Sequence, residues 1–115
     1  MNIKLVLSFL CLVLSLPNQL LAEKARYDQG IYDGELRNDI PWGFGTFRYK
    51  NGNIYEGEWK NGRSHGNGSL KKKDGSSYSG GWRDGKIHGY GERIDAAGNV
   101  TIGAWRNGKL HGIGE

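Results

Sequence analysis

Tyr55 to Ser77 reads YEGEWKNGRSHGNGSLKKKDGSS, and the chain on both sides copies this stretch at a spacing of 23 residues. Tyrosine stands at Tyr32, Tyr55 and Tyr78, with Thr101 in the next place. Two residues further on come Gly34, Gly57, Gly80 and Gly103, and four further on come Leu36, Trp59, Trp82 and Trp105. The later part of each copy keeps the phase, through Gly43, Gly66, Gly89 and Gly112, then Gly45, Gly68, Gly91 and Gly114, then Gly52, Gly75 and Gly98. A fixed period of this length marks one supersecondary unit that is copied and stacked, because a single copy cannot bury its own apolar face.

Turn signals come twice per period, at Asn38-Asp39, Asn51-Gly52, Asn61-Gly62, Asp74-Gly75, Asp84-Gly85, Ala97-Gly98 and Asn107-Gly108. Asn-Gly and Asp-Gly pairs supply the positive φ angles of tight hairpin turns, so two turns per period mean two antiparallel strands per unit. The predicted fold is all-β: an elongated, single-layer antiparallel meander of stacked β-hairpins with about eight short strands. The tyrosine, glycine and tryptophan of each first strand alternate with other residues and so share one face, a repeat core of Tyr32, Leu36, Tyr55, Trp59, Tyr78, Trp82 and Trp105. Asp33, Glu35, Glu56 and Glu58 fall between them and are expected to face water. Glycines such as Gly66 and Gly68 in the second strand offer bare backbone on which a ring from the adjacent strand can lie flat. Phe47, Tyr49 and Leu70 continue the inner face; in the third unit Arg93 stands in that place and Ile94 comes one residue late, which predicts a bulge or register shift.

Ahead of the repeats, Met1 to Ala22 carries one lysine, Lys4, an apolar run from Leu5 to Leu16, Pro17, and a close at Leu20-Leu21-Ala22. This reads as a secretory signal peptide over residues 1–22, cleaved near Ala22, of a secreted or periplasmic protein. The apolar run of 12 residues is shorter than a spanning helix, which needs ~20. Membrane attachment through an uncleaved N-terminal segment is the alternative. Cys11 lies inside the run, so the mature chain has no cysteine. Cleavage removes one of 16 Lys and Arg and leaves 12 Asp and Glu untouched, so the mature chain carries +3. All 20 glycines lie in that part, without the three-residue spacing of collagen. It is one domain, held by its aromatics rather than by disulfides. Residues 23–31 read as a polar lead-in with at most a short strand near Tyr27.

The pattern Tyr-x-Gly-x-Trp-x-x-Gly-x-x-His-Gly-x-Gly, closest over Tyr55 to Gly75, resembles the MORN repeat (membrane occupation and recognition nexus). The resemblance covers residues 32–115, as units 32–54, 55–77, 78–100 and a partial 101–115. The first unit departs, with Leu36 for the tryptophan, Asp39 for a turn glycine and Trp42 in the histidine place, as an atypical capping repeat does. The resemblance implies a twisted stack of hairpins, and membrane attachment, scaffolding and self-association rather than catalysis. Similar repeats are also joined to kinase or methyltransferase domains, so an accessory region of a larger enzyme stands as an alternative.

Two columns invite chemistry. His65, His88 and His111 recur once per unit, but equivalent residues two strands apart lie ~10 Å from each other, too far for one zinc with bonds of ~2.0–2.1 Å. Each histidine is expected to pack against the tryptophan of its own hairpin. No serine, cysteine or carboxylate stands at a spacing that suggests a nucleophile and base, and the glycines lack the strand-to-helix setting of a phosphate loop. No catalytic residue, metal, cofactor or small-molecule substrate is therefore expected. The second column is basic. Arg37, Lys60, Arg83 and Arg106 precede the first turn of each unit, and Arg63, Lys86 and Lys109 follow it in the last three. They would line one long edge at ~10 Å intervals, near Asp39 and Asp84, either as a strip for anionic headgroups or as solubilising charge beside the turns.

Nucleic acid is disfavoured by the export signal, and Asn67 and Asn99 stand in glycosylation sequons that matter only in a eukaryote. The leading expectation is an exported, non-catalytic binding or scaffold module that takes a protein partner or self-associates through an unpaired strand edge. Peripheral binding to anionic phospholipid through the basic edge is the main alternative. Cell-wall or carbohydrate binding is another, and needs exposed aromatic rings.

Overall fold

The structure, a computed structural model, describes residues 3–5 and 23–113. Ten strands follow one another in a single antiparallel sheet whose spatial order is the chain order. They are β1 (Ile3–Leu5), β2 (Glu23–Tyr27), β3 (Gly30–Arg37), β4 (Ile40–Tyr49), β5 (Ile54–Lys60), β6 (Arg63–Lys71), β7 (Ser77–Arg83), β8 (Lys86–Ile94), β9 (Val100–Arg106) and β10 (Lys109–Ile113). The eight strands β3 to β10 are the repeats, two per unit as the turn spacing requires. Apart from residues 3–5, which pair with β2 as Ile3↔Tyr27 to Leu5↔Ala25, the segment read as a signal peptide lies outside the described residues.

The lead-in is more structured than its polar sequence suggests. Glu23–Tyr27 forms a full strand in register with β3, Ala25 opposite Tyr32 and Tyr27 opposite Gly30. Alternation accounts for it: Ala25 and Tyr27 point inward and are buried, while Lys24 and Arg26 point out and are exposed. Tyr27 lies 5.5 Å from Phe47, ring centre to ring centre. The strand thus covers the first hairpin's open side.

Turns come in two kinds. Within a unit, Asn38-Asp39, Asn61-Gly62, Asp84-Gly85 and Asn107-Gly108 all have positive φ at both residues, the two-residue geometry whose twist matches the strands. Between units the loops are longer. Each holds one positive-φ glycine, Gly52, Gly75 or Gly98, and a side-chain carbonyl that takes a backbone N–H two residues on: Asn51 from Asn53, Asp74 from Ser76, Asp95 from Ala97.

The core is a ladder of rings on one face. Tyr32, Phe47, Tyr55, Trp59, Tyr78, Trp82 and Trp105 are all buried, and each tyrosine meets tryptophan edge-on, with Tyr55 placed 5.1 Å from both Trp59 and Trp82. Two kinds of hydrogen bond explain why all of these rings but Phe47 are Tyr or Trp. The hydroxyls of Tyr32, Tyr55 and Tyr78 donate to the carbonyls of Glu35, Glu58 and Gly81, at 2.6, 2.8 and 3.0 Å. The indole N–H groups of Trp59, Trp82 and Trp105 reach back one unit to the carbonyls of Gly45, Gly68 and Gly91, at 3.0, 3.0 and 3.3 Å. The second glycine of each pair lies under a tyrosine, and a Cβ at Gly45, Gly68 or Gly91 would overlap the ring above it.

Burial pushes the Tyr32, Tyr55 and Tyr78 phenols above their ordinary 10.0, and the Glu35 and Glu58 carboxylates add to the first two. A raised pKa in the fold means that the unfolded chain loses these protons first. Their contribution to stability is whole below pH 10 and declines above it. Between neutral pH and pH 10 these groups should leave the melting temperature unchanged, and it should fall beyond, with phenolate absorbance at these positions appearing only together with unfolding.

The expected irregularity at Arg93 is absent. Arg93 pairs with Tyr78 and Ile94 with Ser77, and β8 pairs with β9 without interruption. Arginine keeps its place on the inner face and remains exposed there. The register shifts fall elsewhere and at the same place in each of the first three units, at Gly34/Leu36, Gly57/Trp59 and Gly80/Trp82. In the first two units a carboxylate holds this bulge: Glu35 Oε2 accepts the Phe44 N–H at 2.6 Å and Glu58 Oε2 accepts the Asn67 N–H at 2.8 Å. These two residues, expected only to face water, tie the bulge to the opposite strand. Glu58→Ala should cost about 1 kcal/mol, the net worth of a hydrogen bond at an exposed site. Glu58→Gln, which keeps an acceptor, should recover most of it in urea unfolding.

Candidate basic edge at the hairpin turns

The two-residue turns set the functional geometry, because they fix what stands directly across each hairpin end. Lys60 faces Arg63, Arg83 faces Lys86 and Arg106 faces Lys109, as register partners. Three successive units thus place two cations opposite each other beside the turn. Like charges directly across a ladder work against the pairing, by a few tenths of a kcal/mol up to about 1 each. All six are exposed, and none of them forms an ion pair with a carboxylate among the described residues. Asp84 is the carboxylate nearest the row, and it lies beyond ion-pair distance of all six.

Four of these side chains converge. Arg63, Arg83, Lys86 and Arg106, one or two from each of units two to four, border an open recess of about 700 Å³. His88 and Asn107 complete it, with Asp84 as its one carboxylate. Asp84 is partly engaged: its N–H points to His65 Nδ1 at 3.5 Å and its Oδ1 lies 3.9 Å from the same nitrogen. His65 thus reaches the next unit's turn, and the residue across from Trp59 is Ser64. Among the described residues no three His, Cys, Asp or Glu side chains come close enough together to hold a metal.

Lys60 and Lys109 stand on the same edge through their pairing but do not border the recess. Arg37 departs further. Its guanidinium carbon lies 4.4 Å above the Trp42 ring, a cation–π contact worth ~0.5–1 kcal/mol at an exposed site, and its register partner is Ile40, not a cation. The first unit therefore ends the basic row. Trp42, in the histidine place, gives Arg37 its partner.

The three core tryptophans are poorly placed to stack on a ligand directly. Trp59, Trp82 and Trp105 are 6%, 8% and 5% exposed, which leaves their faces to the stack and removes the ground for carbohydrate stacking on the tryptophans.

No curated protein matches the chain. A family model of the MORN repeat does, four times in succession, over residues 32–54, 55–77, 78–100 and 102–115. The matched residues take in every hairpin of the stack and each of its cationic turns, and the chain belongs to the MORN-repeat family.

Proposed function

We propose that the chain is an exported, non-catalytic binding module whose basic turn edge docks on anionic phospholipid. MORN repeats are generally associated with protein or membrane-lipid binding and are generally non-catalytic. The observation that carries the reading is the row of three like-charge pairs across the hairpin ends. Opposed cations cost the fold something, so they are explained by a polyanion that neutralises them. Each cation near an anionic surface contributes ~1 kcal/mol, and a rigid stack presents six of them on one line with the backbone already ordered. Export rests on the apolar run from Leu5 to Leu16 and the break at Pro17; cleavage after Ala22 would remove β1 and leave β2 at the sheet's edge. N-terminal sequencing of the protein recovered from the medium or periplasm tests this, and an intact Met1 in the mature pool contradicts it.

Co-sedimentation of the chain with vesicles tests the lipid reading. Binding to vesicles containing phosphatidylglycerol or phosphatidylserine, lost at 1 M salt and absent with phosphatidylcholine alone, is expected. The combination Arg63→Gln, Arg83→Gln, Lys86→Gln should lower that binding by at least tenfold. Equal binding to neutral vesicles contradicts the reading.

A second reading, self-association, has its own observation. On the face away from the ring ladder, β9 presents Val100 and Ile102, 54% and 37% exposed, where the earlier units carry Ile54 and Glu56, then Ser77 and Ser79; Tyr90 of β8, 59% exposed, lies alongside. This apolar patch, spread over β8 and β9, favours a contact between copies. Sedimentation equilibrium of the protein without lipid distinguishes the two, since Ile102→Glu should reduce a dimer to monomer and leave vesicle binding intact.

A further inference from the structure

The repeats also differ from each other on the ring face, and the difference opens a groove. In the first unit Tyr49 is packed against the core, its ring 4.4 Å from Phe47. One period later the Tyr49 place is taken by Lys72 and the Phe47 place by Leu70; two periods later the Phe47 place is taken by Arg93. Lysine cannot fill the volume of a phenol ring, and Lys72 is exposed. The space that Tyr49 fills in the first unit is left open in the next, as a groove of about 290 Å³, near the lower end of the ~300–1,000 Å³ of small-ligand pockets.

The groove has two chemical halves. Its floor is apolar and aromatic, made by Leu70, Tyr78, Trp82 and Ile87. Tyr78 and Trp82 belong to the rigid core, with the Trp82 indole fixed by its bond to Gly68 and the Tyr78 hydroxyl by its bond to Gly81. Its charged groups are Lys72, Lys86 and Arg93, and no carboxylate lines it. Asp74, close by in sequence, is engaged on the turn, where its Oδ1 takes both the N–H and the hydroxyl of Ser76. None of the three cations has an ion-pair partner among the described residues.

We propose that this groove binds a small acid with a planar apolar body, an aryl phosphate or aryl carboxylate, the ring lying over Leu70 and Ile87, bordered by Tyr78 and Trp82, and the anionic group held by Lys72 and Arg93. The site is distinct from the basic turn edge, which has no apolar floor, although Lys86 borders both. It contradicts the sequence-based expectation that the chain takes no small molecule, at the level of binding and not of catalysis.

Titration of the ¹⁵N-labelled chain with 1-naphthyl phosphate tests the proposal, beside inorganic phosphate and neutral 1-naphthol as separate arms. Saturable shifts of the Trp82 indole N–H and of the Ser77 and Arg93 amides are expected with naphthyl phosphate. Inorganic phosphate should instead move the turn residues Arg63, Arg83 and Arg106, and naphthol should bind at least tenfold more weakly than its phosphate ester. Lys72→Tyr restores the ring of the first unit; it should abolish the Trp82 shift while the melting temperature stays the same or rises. Arg93→Gln should weaken naphthyl phosphate at least fivefold and leave naphthol unchanged. Shifts confined to the turn residues with all ligands, or a Lys72→Tyr protein that binds as well as the parent, would overturn the proposal.

Discussion

Trp82→Ala is expected to destabilise the protein by about 3–5 kcal/mol, the cost of truncating a large core aromatic. Three losses add up at this position. The ring leaves its edge-on contacts with Tyr55 and Tyr78, at 5.1 and 5.4 Å, and the Gly68 carbonyl loses the indole donor that links two units. In a stack, moreover, each unit is stabilised mainly by its neighbours, so damage in the middle uncouples both sides. For a chain of this length the total stability is on the order of 0.05–0.15 kcal/mol per residue, and the loss takes a large share of it. Trp82→Phe separates the terms: it keeps a ring and drops the donor, and should cost about 1–2 kcal/mol. Urea midpoints measured on both variants check this, and a Trp82→Ala midpoint equal to that of the parent would remove the tryptophan column from the core.

The second large effect is expected at a residue without a side chain. Gly68→Ala puts a methyl group into the Tyr55 ring. Tyr55 cannot lift away without giving up its 2.8 Å bond to the Glu58 carbonyl and its contacts with two tryptophans. Overpacking of a rigid site costs ~1–3 kcal/mol, and the upper end applies here because the backbone below and the rings above are both fixed. Gly75→Ala is the matched control. It sits in a turn with φ of +94° and nothing within 4 Å of an added Cβ, so its cost is that of the left-handed backbone alone, ~1–2 kcal/mol. Differential scanning calorimetry should rank Gly68→Ala well below Gly75→Ala, and a reversed order would mean that the glycines serve turn geometry only.

The legible part of this fold was what repetition makes legible. Side-chain parity along Tyr55, Gly57 and Trp59, repeated at Tyr78, Gly80 and Trp82, fixed the inner face, and the spacing of turn pairs fixed two strands per unit. Features that depend on a partner across the sheet were harder to see. Glu58 looks like a solvated acid in its own strand, and only the bulge opposite reveals the Asn67 N–H it holds. The lead-in strand was visible only as a short strand near Tyr27, because its inward residues are just Ala25 and Tyr27, too few to stand out from the charges between them. Arg93 misled in the other direction: an apolar place filled by a cation suggested a broken register, but the Tyr78 pairing is carried by backbone, which is indifferent to the side chain. For the basic edge, the sequence showed which residues flank the turns but not that they face each other as pairs. Nor did it show that Arg37 is drawn out of the row by Trp42.

If the cations at the hairpin ends serve a ligand and not the fold, removing them should not cost stability. The melting temperature of the combined variant Lys60→Gln, Arg83→Gln, Arg106→Gln tests it most directly, since one member of each opposed pair is removed and the turns are untouched. Relief of repulsion should leave the melting temperature unchanged or raise it by several degrees, at ~4–8 °C per kcal/mol for a domain of this size. A fall of several degrees would mean that these side chains hold the hairpins together, and would contradict the claim.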